Sequence, residues 1–494
     1  MKNTIKLFIL TGILFLGTSC EENFLDINTD PNASTSVPPG SVMTNSLIAL
    51  SQNLLNTLNP NGEAFIQHHK PVVVLTGPDS YNYSSIGNNN FWRFTFYGDI
   101  IKDLNLATLQ AEEQGFINGV AQIQIAQSFA WIIGADTWGE IPFTESNNPD
   151  ILFPKFDTGD IIYQGILDKL DAAIALIDLA DQSSTNTIVD YDPLFQGDMN
   201  KWLAFANSLK LRVLMRISYV EDRSAEIAAL LGGGTQLIDA LDGSENAEFQ
   251  YYPNRNNQNF DYATFDNFVQ FGSFQLDGSG NRVHQRWRLA TDHMVDLLQP
   301  IGDPRLLSFF QKDFSSPLTP ITGAVNGAAP LPPTSERGYV SLFYIRQDKS
   351  DEWFLAQEFW LLAAEAYARG LAPGGIAAAQ TALENGISAS MNHFDGTAFA
   401  IDAADKTAFL GTLDLTAEAD PVEFIQTQQY IALFNQGAEA WANWRRTKVP
   451  TLDVPVGAPI NSIISRLEIP NSEIESNFNI EISPLIDRPV YFEQ

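Results

Sequence analysis

The chain has 494 residues, with 59 acidic against 28 basic side chains and a formal net charge of −31 at pH 7. A surface this acidic repels phosphate backbones, which disfavours nucleic acid as a partner. One cysteine cannot form an internal disulfide, so stability must come from a hydrophobic core, which a chain of this length can bury.

The first twenty residues have the pattern of a secretion signal that ends in the only cysteine. Lys2 and Lys6 precede an apolar run at residues 7–16, and small residues then lead into Cys20. This run is shorter than the ~20 residues needed to span a bilayer, so it is a targeting segment. We predict a lipoprotein signal peptide over residues 1–19, with the lipid (palmitate-type acyl chains) on Cys20. An ordinary secretory signal that ends near a cysteine is the alternative.

A polar, proline-punctuated segment follows at residues 20–40, and we interpret it as a lipid-anchored tether. Glu21 and Glu22 come directly after the cysteine, where acidic residues resemble a surface-export signal, although a solvated tether would have the same composition. The remaining residues, 41–494, are predicted to form a single domain. No later segment approaches 18 uninterrupted apolar residues, which leaves the lipid as the membrane attachment.

Apolar residues recur at helical spacing through most of residues 41–494. The predicted helices are residues 41–58, 97–113, 120–138, 160–179, 200–220, 225–231, 351–369, 375–391, 403–410 and 421–447. The segment 120–138 is apolar all round, so we expect it to be buried. Either Asp157 or Thr158 is expected to cap the helix that begins at residue 160. The fold class is therefore mostly α.

The middle third of the chain has a different character. Residues 243–288 and 313–337 lack a sustained period and are rich in polar, aromatic or proline residues, and the best strand pattern is at 338–345. Long irregular segments of this kind are functional surfaces or disordered. Helices at 352–369 and 376–389 form a pair that fits either a tetratricopeptide repeat or a generic antiparallel hairpin.

The sequence lacks the common catalytic and metal-binding motifs. It has no G-x-S-x-G elbow, Walker A loop or H-E-x-x-H helix. The calcium-loop-like segment at 26–37 has Pro31 where the turn needs glycine. Asp136 and Glu140 bring two acids together after a buried helix, either as a glycosidase pair or as groups that pin the turn at Gly139. We favour the second interpretation and predict no catalytic residue, no metal site and no cofactor.

Four segments resemble one protein family. They are FAWIIGADTWGEIPF at 129–143, LDINTDPN at 25–32, IALFNQGAEAWANWRRT at 431–447 and RLEIPNSE at 466–473. In this order, after a lipoprotein signal, they resemble the SusD/RagB outer-membrane lipoproteins. The resemblance implies one α-helical body with about four tetratricopeptide-like helix pairs and a long, loop-rich remainder.

The same resemblance implies a non-enzymatic function. Members of this family sit on the outer face of the outer membrane, capture oligosaccharides and pass them to a SusC-like TonB-dependent transporter. We therefore expect a lipid-anchored protein facing the cell exterior, with a glycan ligand and a transporter as partners. A peptide-binding helical-repeat lipoprotein and, less favoured, a secreted glycoside hydrolase are the alternatives.

Sugar recognition needs flat aromatic faces for C–H surfaces and polar side chains for hydroxyls. Two irregular regions, residues 77–93 and 250–288, supply both kinds of group. The predicted glycan contacts are Asp79, Tyr81, Tyr83, Asn90, Trp92, Tyr251, Tyr252, Arg255 and Trp287. Trp92 or Trp287 is the expected stacking platform, although core packing is an equal alternative for any single aromatic residue.

Overall fold

Helices make up most of the regular structure in this computed structural model, as the helical period predicts. The structure describes residues 37–71, 77–81, 90–254, 256–267, 274–276, 282–285, 288–311, 321–328, 337–480 and 485–494. Within these ranges the chain from Pro39 to Gln494 forms one compact unit. None of the helices in the described part of the chain is long and apolar enough to cross a bilayer.

The helices follow one another through the chain with short connections in both the first and the last third. The α-helices are α1 (Pro39–Asn53), α2 (Asn59–Phe65), α3 (Lys102–Gln114), α4 (Ile117–Trp138), α5 (Gly159–Leu176), α6 (Met199–Ile217), α7 (Ser224–Leu231), α8 (Phe260–Asn267), α9 (Asp292–Leu298), α10 (Leu306–Phe309), α11 (Ala356–Ala368), α12 (Gly375–Asn392), α13 (Ala403–Leu410), α14 (Pro421–Ala432), α15 (Gly437–Thr447) and α16 (Asn471–Ser476). Two π-helical segments, Leu54–Leu58 and Phe91–Ile101, continue directly into α2 and α3, and Pro78–Ser80 forms a 3₁₀ turn.

Helices adjacent in sequence pack against one another, and α4 lies among several of them. It contacts α3, α5 and α6, and every residue from Asn118 to Trp138 except Gln124 is buried, as the apolar sequence predicts. Helices α11 and α12 form the most extensive pair. A Cβ atom on Gly386 would lie 2.6 Å from Leu361 Cγ, so the absence of a side chain there permits the close approach. The predicted helical hairpin is confirmed.

Strands are short and lie mostly in the middle of the sequence. They are β1 (His69–Pro71), β2 (Ala247–Phe249), β3 (Phe274–Leu276), β4 (Arg282–Gln285), β5 (Arg288–Ala290), β6 (Phe310–Gln311), β7 (Tyr339–Val340) and β8 (Asp351–Phe354). One antiparallel sheet has the order β1-β5-β7-β6, and β2–β8 and β3–β4 form separate pairs. The strand predicted at 338–345 is thus reduced to the two residues of β7.

The single helix predicted over 421–447 is wrong, because the chain turns between α14 and α15. Asn435 adopts a left-handed conformation in this turn, with φ of 73°. The break brings Gly437 against α2, where an added Cβ atom would lie only 2.0 Å from the Asn59 carbonyl oxygen. Close packing between helices distant in sequence therefore overrides the local helical pattern.

The predicted start of the helix at 351 is also wrong. Residues 351–354 form β8, which pairs with β2 in antiparallel register, with Phe249 opposite Asp351 and Ala247 opposite Phe354. All four residues of β8 are buried. A partner strand that lies about a hundred residues earlier in the chain decides the conformation, and the local pattern does not reveal it.

Buried ion pairs connect α6 to three other helices. Arg212 Nε lies 2.6 Å from Glu358 on α11, and Arg216 Nη2 lies 2.6 Å from Glu439 on α15. Arg216 Nη2 is also 3.2 Å from Asp136 near the end of α4. All five side chains are buried. Removal of one partner would leave an uncompensated charge, typically at a cost of about 3–5 kcal/mol, so these pairs fix the positions of the four helices.

A second buried ion pair joins α11 to α15. Glu365 receives two hydrogen bonds from the Arg446 guanidinium, each 2.6 Å long, and another of 2.8 Å from Gln429. Arg369, the residue directly after α11, lies 3.0 Å from the same carboxylate. Burial opposes ionisation of Glu365, but Arg446 and its other donors outweigh burial and lower its pKa to about 2.

Candidate functional site

Asp79 and Tyr81, two predicted glycan contacts, are buried in structural interactions. Lys70 Nζ lies 2.5 Å from the Asp79 carboxylate, and both side chains are buried. The Tyr81 hydroxyl donates to the Phe65 carbonyl oxygen at 3.0 Å, and burial raises the pKa of Tyr81. These contacts hold the segment against α2. Because neither side chain faces solvent, the structure corrects their expected placement on a binding surface.

Trp92, one of the expected stacking platforms, also lies in the core. Its side chain is 2% exposed, and its ring packs edge-on against Trp138 and parallel to Phe156, with centroids 4.9 and 6.0 Å apart. Tyr251 is similarly buried, and its hydroxyl is 2.7 Å from Ser51 Oγ. The faces that a sugar ring would need are occupied by protein, so packing explains both positions.

Asn90 and Tyr252 are the predicted residues that the described structure places at the surface. Tyr252 is 53% exposed, on a turn in which its backbone N–H donates to the Asn257 carbonyl oxygen at 2.8 Å. Asn90 is exposed where the segment Phe91–Ile101 begins. Tyr83, Arg255 and Trp287, like the lipid site Cys20, lie outside the described residues.

Phe94 is an exposed aromatic residue that is not among the predicted glycan contacts. Its ring is 59% exposed, and the Arg93 guanidinium lies 5.3 Å from the ring centroid. The spacing of the aromatic residues indicates this exposure. Trp92 and Phe96 are four residues apart and share one helix face, which is buried, so a residue midway between them points away from the core. Phe94 therefore offers the solvent-facing ring that Trp92 was expected to provide.

A polar cleft of about 300 Å³ lies beside β2, the segment before β8 and the end of α12. Its lining includes amides, carboxylates and cations: Asn246, Gln357, Asn392, Asp242, Glu248, Asp395, Arg346 and Lys349. Phe343 also contributes to the wall, but the Arg346 guanidinium lies 4.5 Å from the centre of its ring. The cleft can hydrogen-bond a small polar ligand, whereas its aromatic face is already covered.

Three side chains could share a cation: Glu248 and His393 line this cleft, and Glu352 lies next to them. Ligand atoms of Glu248, Glu352 and His393 lie within 4.8 Å of one another. Lys349 Nζ contacts Glu352, and His393 Nε2 is 2.7 Å from the same carboxylate. Burial opposes ionisation of Glu352, but Lys349 and His393 hold its pKa at about 2. The lysine ammonium therefore already supplies positive charge where a metal ion would bind, and the group is explained as an ion-pair cluster.

Asp136 and Glu140, the possible acid pair, are each paired with cations. Asp136 accepts a hydrogen bond of 2.6 Å from Tyr163 and contacts Arg216. Glu140 lies 2.6 Å from Arg466 Nη1, which also donates to the Trp138 carbonyl oxygen at 3.1 Å. The Arg466 contacts hold the turn at Gly139, as we expected from the sequence, whereas Asp136 joins α4 to α5 and α6, so both acids have structural contacts.

The comparisons with known proteins identify the family. A family model described as "Starch-binding associating with outer membrane" matches residues 31–470. The chain belongs to the SusD-like family. The resemblance found in the sequence is confirmed, and so is the mostly α-helical, SusD-like fold. No curated protein matches this SusD-like chain at a significant level.

Solved structures show the same fold at low sequence identity. One, named a chitin-binding protein, is 20% identical, with a TM-score of 0.77 over 92% of this chain and 99% of that chain. A SusD homologue from Parabacteroides distasonis is 20% identical, with a TM-score of 0.74 over 92% and 97%. A chitin-binding SusD homologue from Flavobacterium johnsoniae is 18% identical, with a TM-score of 0.70 over 91% and 98%.

Proposed function

We propose that this SusD-like protein binds a glycan at the cell surface and passes it to a SusC-like TonB-dependent transporter. The observation that carries the proposal is the match of residues 31–470 to a family described as starch-binding and associated with the outer membrane. Two structures of the same fold are named as chitin-binding, which supports a polysaccharide-derived ligand. The ion-paired states of Asp136 and Glu140 favour binding over hydrolysis.

We further propose the arrangement of the mature chain. Residues 1–19 are removed, Cys20 carries the lipid, and the tether predicted at residues 20–40 connects the anchor to the single domain predicted at 41–494, whose first helix α1 already begins at Pro39. An anchor of more than one acyl chain holds a protein durably at a membrane. We propose that this anchor holds the protein at the outer membrane, facing the exterior.

The glycan site is proposed to include the solvent-facing members of the two predicted regions. Asn90 and Tyr252 meet this requirement in the described structure, and we add Phe94, which lies one residue beyond the first region and has an exposed ring. Phe94 or Tyr252 would pack against the C–H face of a sugar ring, and Asn90 would hydrogen-bond hydroxyls. Tyr83, Arg255 and Trp287 remain part of the proposed site by their position in the sequence.

Isothermal titration against starch fragments, chitin oligosaccharides, β-glucans and fructans tests the proposal. A stacking aromatic contributes ~0.5–1.5 kcal/mol beyond its buried area, so Phe94→Ala or Tyr252→Ala should weaken binding by about two- to twelvefold. Tyr191→Ala removes a comparably exposed tyrosine, 45% exposed, that lies outside the two predicted regions of the sequence, and is the control. Binding of peptides but of no glycan would instead establish the peptide-binding alternative.

A further inference from the structure

Three apolar side chains form an exposed patch on two neighbouring loops. Leu152 is 81% exposed and Phe478 is 82% exposed, while Phe153 is 38% exposed. The rings of Phe153 and Phe478 meet edge to face, with centroids 5.2 Å apart. Single exposed apolar residues are ordinary, but a joined group held out into solvent is typical of a protein-interaction site. We call Leu152, Phe153 and Phe478 the apolar patch.

The loop that carries Leu152 and Phe153 is closed at its base. The Asp157 N–H donates to the Ile141 carbonyl oxygen at 3.0 Å. The buried Asp157 carboxylate accepts hydrogen bonds from the backbone N–H groups of Phe143 and Thr144, at 3.1 and 2.7 Å. Residues 142–156 therefore form a loop whose two ends are joined by one carboxylate, which limits the conformations of the tip.

The tip of this loop is in turn bonded to the loop that carries Phe478. Asn477 Nδ2 donates to the Pro154 carbonyl oxygen at 2.9 Å, and Asn479 Nδ2 donates to that of Phe153 at 2.5 Å. Two hydrogen bonds thus flank Phe478 and fix it beside Phe153. A patch that is ordered before binding loses little conformational entropy on association, so the apolar patch is preorganised for binding a partner.

The charges around the patch select the kind of partner. Exposed Asp150 and Glu475 lie two and three residues from Leu152 and Phe478 in the chain. The nearby Lys155 is offset by Asp157, 3.4 Å away. Because the whole chain carries a formal charge of −31, a second copy or an anionic lipid surface would be repelled. The complementary surface is an apolar pocket with a basic rim, on another protein.

We propose that the apolar patch docks this protein onto its transporter partner, through such a pocket on the transporter. The inference rests on the proposed function and adds to it the surface that makes the contact. Large side chains at the centre of an interface carry most of the binding energy, which makes Leu152 and Phe478 the residues to test.

The test uses the full-length lipidated protein, expressed with its transporter and extracted in mild detergent. A Leu152→Ser/Phe478→Ser double variant should recover at least tenfold less transporter than the wild type, because two anchors of ~1 kcal/mol or more are lost. Leu307→Ser, at a leucine that is 65% exposed on α10, is the matched control and should copurify the transporter normally. Since all these side chains face solvent, the melting temperature should not change in either variant.

Four outcomes separate this inference from the proposed function. If the wild type copurifies no transporter, the proposed function fails. If the wild type and the double variant copurify it equally, the docking inference alone is overturned. A wild-type dimer that the double variant abolishes would assign the patch to self-association. Loss of binding to lipid vesicles in the double variant would assign it to the membrane, and either of these last two results also overturns the inference.

Discussion

Glu365→Gln tests whether the buried pair between α11 and α15 stabilises the fold. The substitution keeps the shape of the side chain but removes the negative charge that faces Arg446. The Arg446 guanidinium, which is fully buried, would then lose the carboxylate with which it is paired. Breaking a buried pair in this way typically costs about 3–5 kcal/mol of unfolding free energy.

The lowered pKa of Glu365 gives an independent value for the free energy that this ion pair contributes to stability. Its pKa falls from 4.5 to about 2, because the Arg446 contacts outweigh burial. At about 1.36 kcal/mol for each pH unit, this change corresponds to roughly 3 kcal/mol of stability. Because the folded-state pKa is depressed, this stability is fully present above pH 4.5 and is lost as the pH falls towards 2. The two routes give the same order of magnitude.

Urea unfolding, followed by tryptophan fluorescence at pH 7 and pH 3, measures the effect. We expect Glu365→Gln to lower the unfolding free energy by about 3 kcal/mol at pH 7 and by clearly less at pH 3, where the carboxyl is protonated in the unfolded chain but still mostly ionised in the folded protein. Glu226→Gln breaks an exposed pair with Arg223, in which the glutamate is half exposed, and should cost under ~1 kcal/mol. A cost below about 1 kcal/mol for Glu365→Gln, unchanged between the two pH values, would refute the reasoning.

Three further predictions follow from other features of the chain. Cys20→Ala should abolish incorporation of labelled fatty acid, which gel autoradiography measures. Trp92→Ala should lower the unfolding free energy by about 3–5 kcal/mol in urea titrations, because it empties a core site, whereas Tyr252→Ala should leave it within ~0.5 kcal/mol. Gly437→Ala should cost about 1–3 kcal/mol in the same titration, since its Cβ atom would overlap the Asn59 carbonyl oxygen.

Each of these predictions has a result that contradicts it. Equal labelling of the wild type and the Cys20 variant would exclude the lipid site. If the Trp92→Ala protein is as stable as the wild type but binds glycan poorly, Trp92 is a glycan contact and not a core residue. A Gly437→Ala protein of normal stability would show that α2 and α15 can separate without cost.

The sequence is sufficient for the helical class, because apolar residues at 3.6-residue spacing determine which face of each helix is buried. It locates α4 and the α11–α12 hairpin correctly for that reason. It fails where distant segments decide the conformation. Residues 351–354 look like the start of a helix until β2 pairs with them, and the break before Gly437 is required by contact with α2.

The candidate site is harder to predict than the fold. Aromatic and polar residues in an irregular segment suit both ligand contact and packing, and composition alone does not separate these roles. Trp92 and Phe94 are two residues apart, yet one is buried and the other exposed, because the helix presents alternate faces to the core and to solvent. Glu248 and His393 line the polar cleft and lie close to Glu352, and the three residues come from separate segments that no motif connects in the sequence.

The contact between α2 and α15 has a consequence for the order in which the chain can fold. The Ala438 N–H donates to the Asn59 side-chain oxygen across 379 residues of sequence, and the Tyr430 hydroxyl reaches the Ile66 carbonyl oxygen across 364. Contacts this distant in sequence form late, since they need the closure of a very long loop. A chain that emerges amino end first therefore cannot complete its core until α15 has followed, so the amino-terminal helices stay without their final partners until most of the polypeptide has been made.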